Sequence, residues 1–239
     1  MKGPSSLNNL INILIRFRGY KVGLVADISK MYHTVLIHDD QKYLRRILWR
    51  PVEVWNTSFQ ENPPEVYNFN TLQFGDRPAG CIATSSLRNT AIMNQEFDPG
   101  AAQSIVEDSY VDDIVTGCGN MDEVEVKIKN IKKIAEPGGF KFKKFVVSGD
   151  LLEEQDLFQG GEIGEKVLGI KWRPQDDTLG FKAAININKR SRGKKTGPDL
   201  ELEDICNLKA EDLTKRRLLR VVNSLFDPVG LLSPVTALL

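Results

Sequence analysis

Tyr110-Val111-Asp112-Asp113 sits between two runs rich in β-branched residues, 104–111 and 114–118. Ile105, Val106, Tyr110 and Val111 ahead of the acids, and Ile114, Val115 and Thr116 after them, are strand formers, whereas Asp is depleted in strands and enriched in turns. The pattern predicts two strands that meet in a hairpin with the carboxylates at its tip. Two adjacent like charges cost energy unless a cation neutralises them, and hard carboxylate oxygens suit Mg2+ or Mn2+. A polar turn that carries Asp-Asp for its turn chemistry alone is the plainer reading, and the tetrapeptide by itself does not choose.

A third acid shifts the balance. Gly23-Leu24-Val25-Ala26 is a short apolar run that stops at Asp27, followed by Ile28-Ser29-Lys30-Met31-Tyr32. An acid at the end of a buried strand is expensive if left unpaired. If that strand lies beside the hairpin, the three carboxylates converge although they are far apart in sequence. The competing role for Asp27 is a helix N-cap after the strand.

These residues carry a resemblance. Asp27 with Tyr32, then Leu72-Gln73-Phe74-Gly75, Tyr110-Val111-Asp112-Asp113, Gly138-Gly139-Phe140 with a lysine cluster, and Val167-Leu168-Gly169-Ile170 resemble, in order, the palm motifs of a reverse transcriptase. Flanking words resemble the Bel/Pao group of LTR retrotransposons: Ser6-Leu7-Asn8-Asn9-Leu10, Arg16-Phe17-Arg18, Ile47-Leu48-Trp49-Arg50, Phe74-Gly75-Asp76-Arg77-Pro78-Ala79-Gly80 and Phe226-Asp227-Pro228-Val229-Gly230-Leu231-Leu232-Ser233-Pro234. The resemblance runs from residue 5 to the end. It implies an α+β polymerase palm, an antiparallel sheet covered by helices in a ferredoxin-like arrangement, with partial fingers and a partial thumb or connection. Residues 1–150 are expected to form the palm with partial fingers, and 151–239 a primer-grip-like hairpin and the thumb or connection segment. Because only 26 residues precede Asp27, the sequence stops at Leu239 and RNase H has no room, the resemblance implies a piece of a Pol polyprotein truncated at both ends, a truncated gene model or a decayed element copy.

Composition sets limits. At 239 residues with 41% hydrophobic content, the chain can build a core. No apolar run reaches transmembrane length and the amino terminus lacks a secretory pattern, so no membrane partner is expected. Cys81, Cys118 and Cys206 are widely spaced and odd in number, which argues against a disulfide framework or a Cys-x-x-Cys zinc site and favours a reducing compartment. With only two histidines and no paired cysteines, a His-His-Cys-Cys integrase module is not expected. The expected location is intracellular, in the cytoplasm or a virus-like particle. Net charge is zero, which alone disfavours a nucleic-acid binder. The basic residues are nonetheless concentrated, at Lys141, Lys143 and Lys144 and at Lys189, Arg190, Arg192, Lys194 and Lys195.

Periodicity predicts a capped helix over 6–17 with Leu7, Leu10, Ile11 and Leu14 on one face. Strands are predicted at 43–49 and 66–74, bracketing a connection that contains Asn62-Pro63-Pro64, and a helix at 83–97. Asn120-Met121-Asp122-Glu123 resembles a capping box before an apolar stripe of Val124, Ile128, Ile131 and Ile134 that ends at Pro137-Gly138-Gly139. Short strands near 167–172 and 179–187, a basic loop and a helix over 214–226 complete the reading.

The activity implied by the resemblance is RNA-directed DNA polymerisation, nucleotidyl transfer from a deoxynucleoside triphosphate to a primer 3′-hydroxyl on an RNA or DNA template. It implies two Mg2+ or Mn2+ ions held by Asp27 and Asp112, with Asp113 nearer the primer-end ion or one step removed from it. Tyr32 would abut the incoming sugar and exclude a 2′-hydroxyl, unless it simply packs a helix start. Phe74 and Gly75 would pack the nucleotide, with Gly75 allowing close backbone approach. Pro78 follows that glycine by three residues rather than the family's five, which unsettles the template contacts of the loop. Tyr110 would support the primer end or fill the sheet face. Lys143 or Lys144 could serve as general acid for the pyrophosphate, against a plain solvated lysine strand. Leu168, Gly169 and Trp172 resemble the primer grip. A catalytically dead remnant that binds nucleic acid, and another palm-type enzyme such as a nucleotide cyclase, are the alternatives.

Overall fold

The computed structural model describes residues 3–4, 6–149, 157–158, 165–180, 200, 207, 214–222, 227–231 and 233. Its centre is strand β1 (Val22–Ser29), whose near-continuous apolar sequence marks a strand covered on both faces. Strand β5 (Asp113–Cys118) runs antiparallel to it from Val22↔Cys118 to Asp27↔Asp113. On the other side, β6 (Lys141–Phe142) and β7 (Phe145–Val147) pair antiparallel with successive parts of β1. The short β4 (Ser109–Tyr110) flanks β5, and β8 (Leu157–Phe158) adds to β7 in parallel. The fold is mixed α+β and its sheets are antiparallel except for this last pairing.

Strand alternation sends Leu24, Ala26, Ile28, Ile114 and Cys118 to one face. There they join α4 (Ala79–Met93), α5 (Pro99–Glu107) and α6 (Val124–Ala135) through Ala83, Leu87, Ala91, Ile105, Ile128, Ile131 and Ile134. The other face, through Val115 and Val146, packs on α1 (Leu10–Gly19) and on a three-stranded sheet of β9 (Glu165–Val167), β10 (Ile170–Arg173) and β11 (Thr178–Gly180). Phe17 and Trp172 meet edge to face there at 5.2 Å, directly over Gly23. Short helices α2 (Met31–Thr34) and α3 (Asp39–Lys42) lead to an isolated hairpin of β2 (Arg46–Trp49) and β3 (Glu65–Asn68), exposed along both strands. Helix α7 (Lys215–Val222) starts after Thr214, whose hydroxyl accepts from Arg217 N. Among the described residues no helix is long and apolar enough to cross a membrane.

Several expectations shift. The strand expected over 104–111 is the end of α5 followed by two strand residues. Asp98 caps that helix by accepting from Ala101 N, and Pro99 opens it, a start signal that outweighs the β propensity of Ile105 and Val106. The first helix begins at Leu10 rather than near Ser6, because Asn9 accepts from Ile11 N and Asn12 N, while Asn8 ties the preceding chain to Val106 O and Ser109 O. The strand expected to reach residue 74 stops at Asn68; beyond it Asn70 O and Leu72 N bond to Ile37 and Val35 instead. Helix α4 spans Ala79–Met93, four residues earlier at each end than the pattern suggested. At α6 the cap is Asn120, with Glu123 accepting from Gly119 N, and a 3-10 turn at Met121–Glu123 precedes the helix. The basic run from Lys189 to Lys195, the strand expected beyond residue 180, the last residues of the expected 214–226 helix and Cys206 lie outside the described residues. Cys81 and Cys118 are free thiols.

Gly117 marks the tightest approach on β5: a Cβ there would stand 2.5 Å from Tyr20 Cβ and from Val22 O. Gly117→Ala is therefore expected to lower stability by about 1–3 kcal/mol, the usual cost of overpacking. Gly19→Ala, where nothing lies within 4 Å, is not expected to destabilise. Urea-denaturation midpoints of the two variants test this.

Candidate active site on the sheet face

The tip of the β4–β5 hairpin is a two-residue turn, Val111-Asp112, closed by the pairing Tyr110↔Asp113. Two-residue hairpin turns need positive φ, and Val111 adopts φ +55. For a β-branched residue this backbone is strained, on the order of 1–3 kcal/mol, so the surrounding structure must impose it. Ile28 N donates to Asp112 O at 2.6 Å and Val115 N donates to Asp108 O at 2.9 Å, pinning the turn from both sides.

Below the turn lies a buried polar anchor that the sequence did not disclose. Asp108, 3% exposed, accepts from Arg16 Nε at 2.7 Å and from the Thr116 hydroxyl at 2.8 Å. The Arg16 guanidinium also reaches Glu107 O. Burial, and next the Asp108 charge, raise the Tyr20 phenol above its ordinary range. This anchor ties α1 to the chain entering β4. The only sequence signal was an acid four residues before the predicted tip at Asp112.

Register brings the acids together. Asp27 and Asp113 are direct cross-strand partners, so their side chains leave the same face, the one that carries Val115. Asp112 follows in the turn. Asp113 is pushed up to about 6, by burial first and then by the charges of Asp112 and Asp27. Lys143 opposes this: its Nζ lies 2.9 Å from Asp27 Oδ1, and its backbone N–H donates to Asp27 O at 2.8 Å. The Lys143 ammonium is raised, through the hydrogen bond to Asp27 and the nearby acids. Between Lys143 and Lys144, which spacing left open, the structure sets Lys143 on the cluster. Among the described residues, no group of three or more His, Cys, Asp or Glu side chains is gathered as a ready metal cage. The donor set suits a hard divalent cation, three carboxylates that repel one another, but Asp27 is turned to an ammonium.

Tyr32 is half-buried at the start of α2 and stacks at 4.8 Å on Phe74, which is 70% exposed. A Cβ at Gly80 would lie 3.6 Å from the Tyr32 hydroxyl, which fixes the phenol against the start of α4. Gly75 holds φ +95 with open space where a Cβ would sit, so its backbone conformation is what demands glycine. Arg45 Nε, 2.6 Å from Asp76 Oδ2, ties this loop to the start of β2. Tyr110 is half-buried against the core shared with α1.

The hairpin expected to grip a primer has a different surface. Leu168 and Gly169 form a tight turn with φ +47 and +93, closed by Ile170↔Val167. Trp172, however, is fully buried and donates from Nε1 to Asp177 Oδ1. Its ring is core, so contact with a ligand falls to Gly169, the exposed member of the three. Two open clefts of about 530 Å3 lie away from the acids, one lined by Tyr20, Asp98, Gly117 and Lys127, the other by Lys129, Lys133, Lys141 and Phe142.

In metal-free buffer, the raised Asp113 stabilises the fold while it is protonated. That contribution is complete below the ordinary carboxylate range near 4 and is lost as pH rises through about 6. Asp113→Asn is accordingly expected to raise Tm at pH 7.5 and to leave it nearly unchanged at pH 4. Thermal melts with EDTA at the two pH values check the sign.

No protein-family model matches the chain, and no curated protein matches it.

Proposed function

We propose that this chain is the palm region of an RNA-directed DNA polymerase resembling those of Bel/Pao retrotransposons, extending a primer with deoxynucleotides on an RNA or DNA template. The observation that carries this reading is the direct pairing of Asp27 with Asp113, beside the Val111-Asp112 turn. Asp27 and the adjacent Asp112 and Asp113, from two remote parts of the chain, stand on an open sheet face rather than in a closed pocket, as a polymeric substrate requires. Asp27 and Asp112 would hold both divalent ions, with Asp113 beside the one at the primer end. When bound, such ions activate the attacking hydroxyl and neutralise charge on the triphosphate.

The protein's own groups have distinct tasks in this reading. Tyr32, braced by Phe74, presents a wall to the sugar, and a 2′-hydroxyl would collide with it. Gly75 leaves room for close approach of a nucleotide to the backbone. Lys143 holds a proton within reach of Asp27 and is the candidate donor to a departing pyrophosphate. Gly169 is left as the exposed point of the primer-side hairpin.

Primer extension on a homopolymer RNA template with Mg2+ or Mn2+, using the polypeptide in its full coding context, is the decisive assay. Asp112→Asn is expected to abolish extension; equal activity in the variant would remove Asp112 from the site. Absence of extension by the unmodified protein would favour the remnant reading, a nucleic-acid-binding module that keeps the fold. Tyr32→Ala is expected to raise ribonucleotide incorporation roughly tenfold, the scale at which a pocket discriminates one small group. An unchanged ratio of ribo- to deoxynucleotide use would mean that Tyr32 only packs.

A further inference from the structure

The carboxylate end of β1 already holds one cation, and it belongs to the chain itself. Lys143 is bound to Asp27 twice, through its ammonium to Oδ1 at 2.9 Å and through its backbone N–H to the carbonyl oxygen at 2.8 Å. The second contact is set by register: Ile28↔Phe142 and Ser29↔Lys141 deliver Lys143 to the position beside Asp27. The first is a side-chain choice. With the lysine side chain 62% exposed and the aspartate 38%, the ion pair lies on open surface, where such pairs hold weakly and yield to competition.

We propose that Lys143 is the resident counter-ion of the Asp27, Asp112 and Asp113 cluster, and that a divalent cation takes Asp27 only by displacing its ammonium, so that Lys143 sets the metal affinity of the site. This rests on the metal-site reading of the three acids. It accounts for two facts together: Asp27 and Asp113 are direct cross-strand partners beside Asp112, yet among the described residues the acids are not assembled as a cage. A divalent ion interacts with all three carboxylates, whereas the ammonium satisfies one, so the exchange favours the divalent ion once its concentration suffices. The displaced ammonium does not diffuse away. Its backbone bond to Asp27 O keeps it at the rim, where an anionic group arriving with the metal is its next partner. Lys143 thus acts through Asp27 as a positioning residue.

The test is Mn2+ binding by the full chain, measured by calorimetry on the unmodified protein, Lys143→Met, Lys143→Arg and Asp112→Asn. Lys143→Met removes the competing charge at similar volume and is expected to bind Mn2+ roughly three- to fivefold tighter, the scale of an exposed ion pair. Lys143→Arg restores the charge and is expected to return affinity to within about twofold of the unmodified value, which a merely structural role of the side chain would not produce. In a parallel measurement, Mg2+ titration is expected to move the Lys143 ammonium signal in 15N NMR toward that of a solvated lysine. Equal or weaker Mn2+ binding by Lys143→Met, with Asp112→Asn still impaired, overturns the counter-ion role and leaves the metal site standing. No Mn2+ binding by any of the four proteins overturns the metal site and the counter-ion role together.

Discussion

The structure depends on the six-residue register between β1 and β5. Leu24, Ala26, Ile28 and Ile114 are buried almost completely on one face of this pair, and each such side chain contributes about 1.5–3 kcal/mol on removal from water, alanine less. A one-residue slip would turn that set outward and bring Gly23 and Val25 in, so the register is strongly fixed. The same register forces Asp27 opposite Asp113. Like charges directly opposed in a sheet cost about 0.2–1 kcal/mol, less than one buried leucine gains. The core therefore imposes the repulsion, and the repulsion creates a place for a cation.

The hairpin turn follows the same logic. Val111 takes a left-handed backbone that a β-branched residue avoids, and the conformation is held by the bonds to Asp112 O and Asp108 O on either side of the turn and by the half-buried Asp108–Arg16 pair beneath it. Removing Arg16 would leave the buried Asp108 carboxylate short of its charged partner, so the pair resists the loss of the turn geometry it supports. Helix α1 is thereby more than a cover for the sheet. Through Arg16 it fixes Asp108, the residue directly before β4, and so the chain that leads into the carboxylate turn.

What could be read from the sequence follows the range of the interactions. The β1 strand and the acid near its end were legible because an apolar run meeting a charge is a local pattern, although the strand continues past Asp27 to Ser29 through its pairing with β6. The α6 stripe of Val124, Ile128, Ile131 and Ile134 was legible for the same reason. Helix α5 was not, since Ile105 and Val106 favour strands and the signal that overrides them is a single capped turn at Asp98-Pro99. The choice between Lys143 and Lys144 depends on alternation relative to β1, a pairing partner more than a hundred residues away. Trp172 illustrates the converse. A tryptophan beside a Leu-Gly turn suggests a gripping surface, but whether that face points to solvent or to Phe17 is decided by α1, at the far end of the chain.

The two faces of the sheet are consequently unequal in a way that bears on chemistry. Helices α4, α5 and α6 seal one face along its length, whereas α1 and the β9–β11 sheet cover the other only over Gly23, Val115 and Val146. Past that cover the alternation that would place apolar residues on the same face instead delivers Asp27 and Asp113. An apolar pair there would be exposed to water, and a fully covered acidic pair would be unaffordable in desolvation. Half-burial is the compromise, and it has a chemical result. Asp113 is pushed up to about 6 by its burial and then by the charges of Asp112 and Asp27, while Asp27 keeps contact with water and with the Lys143 ammonium.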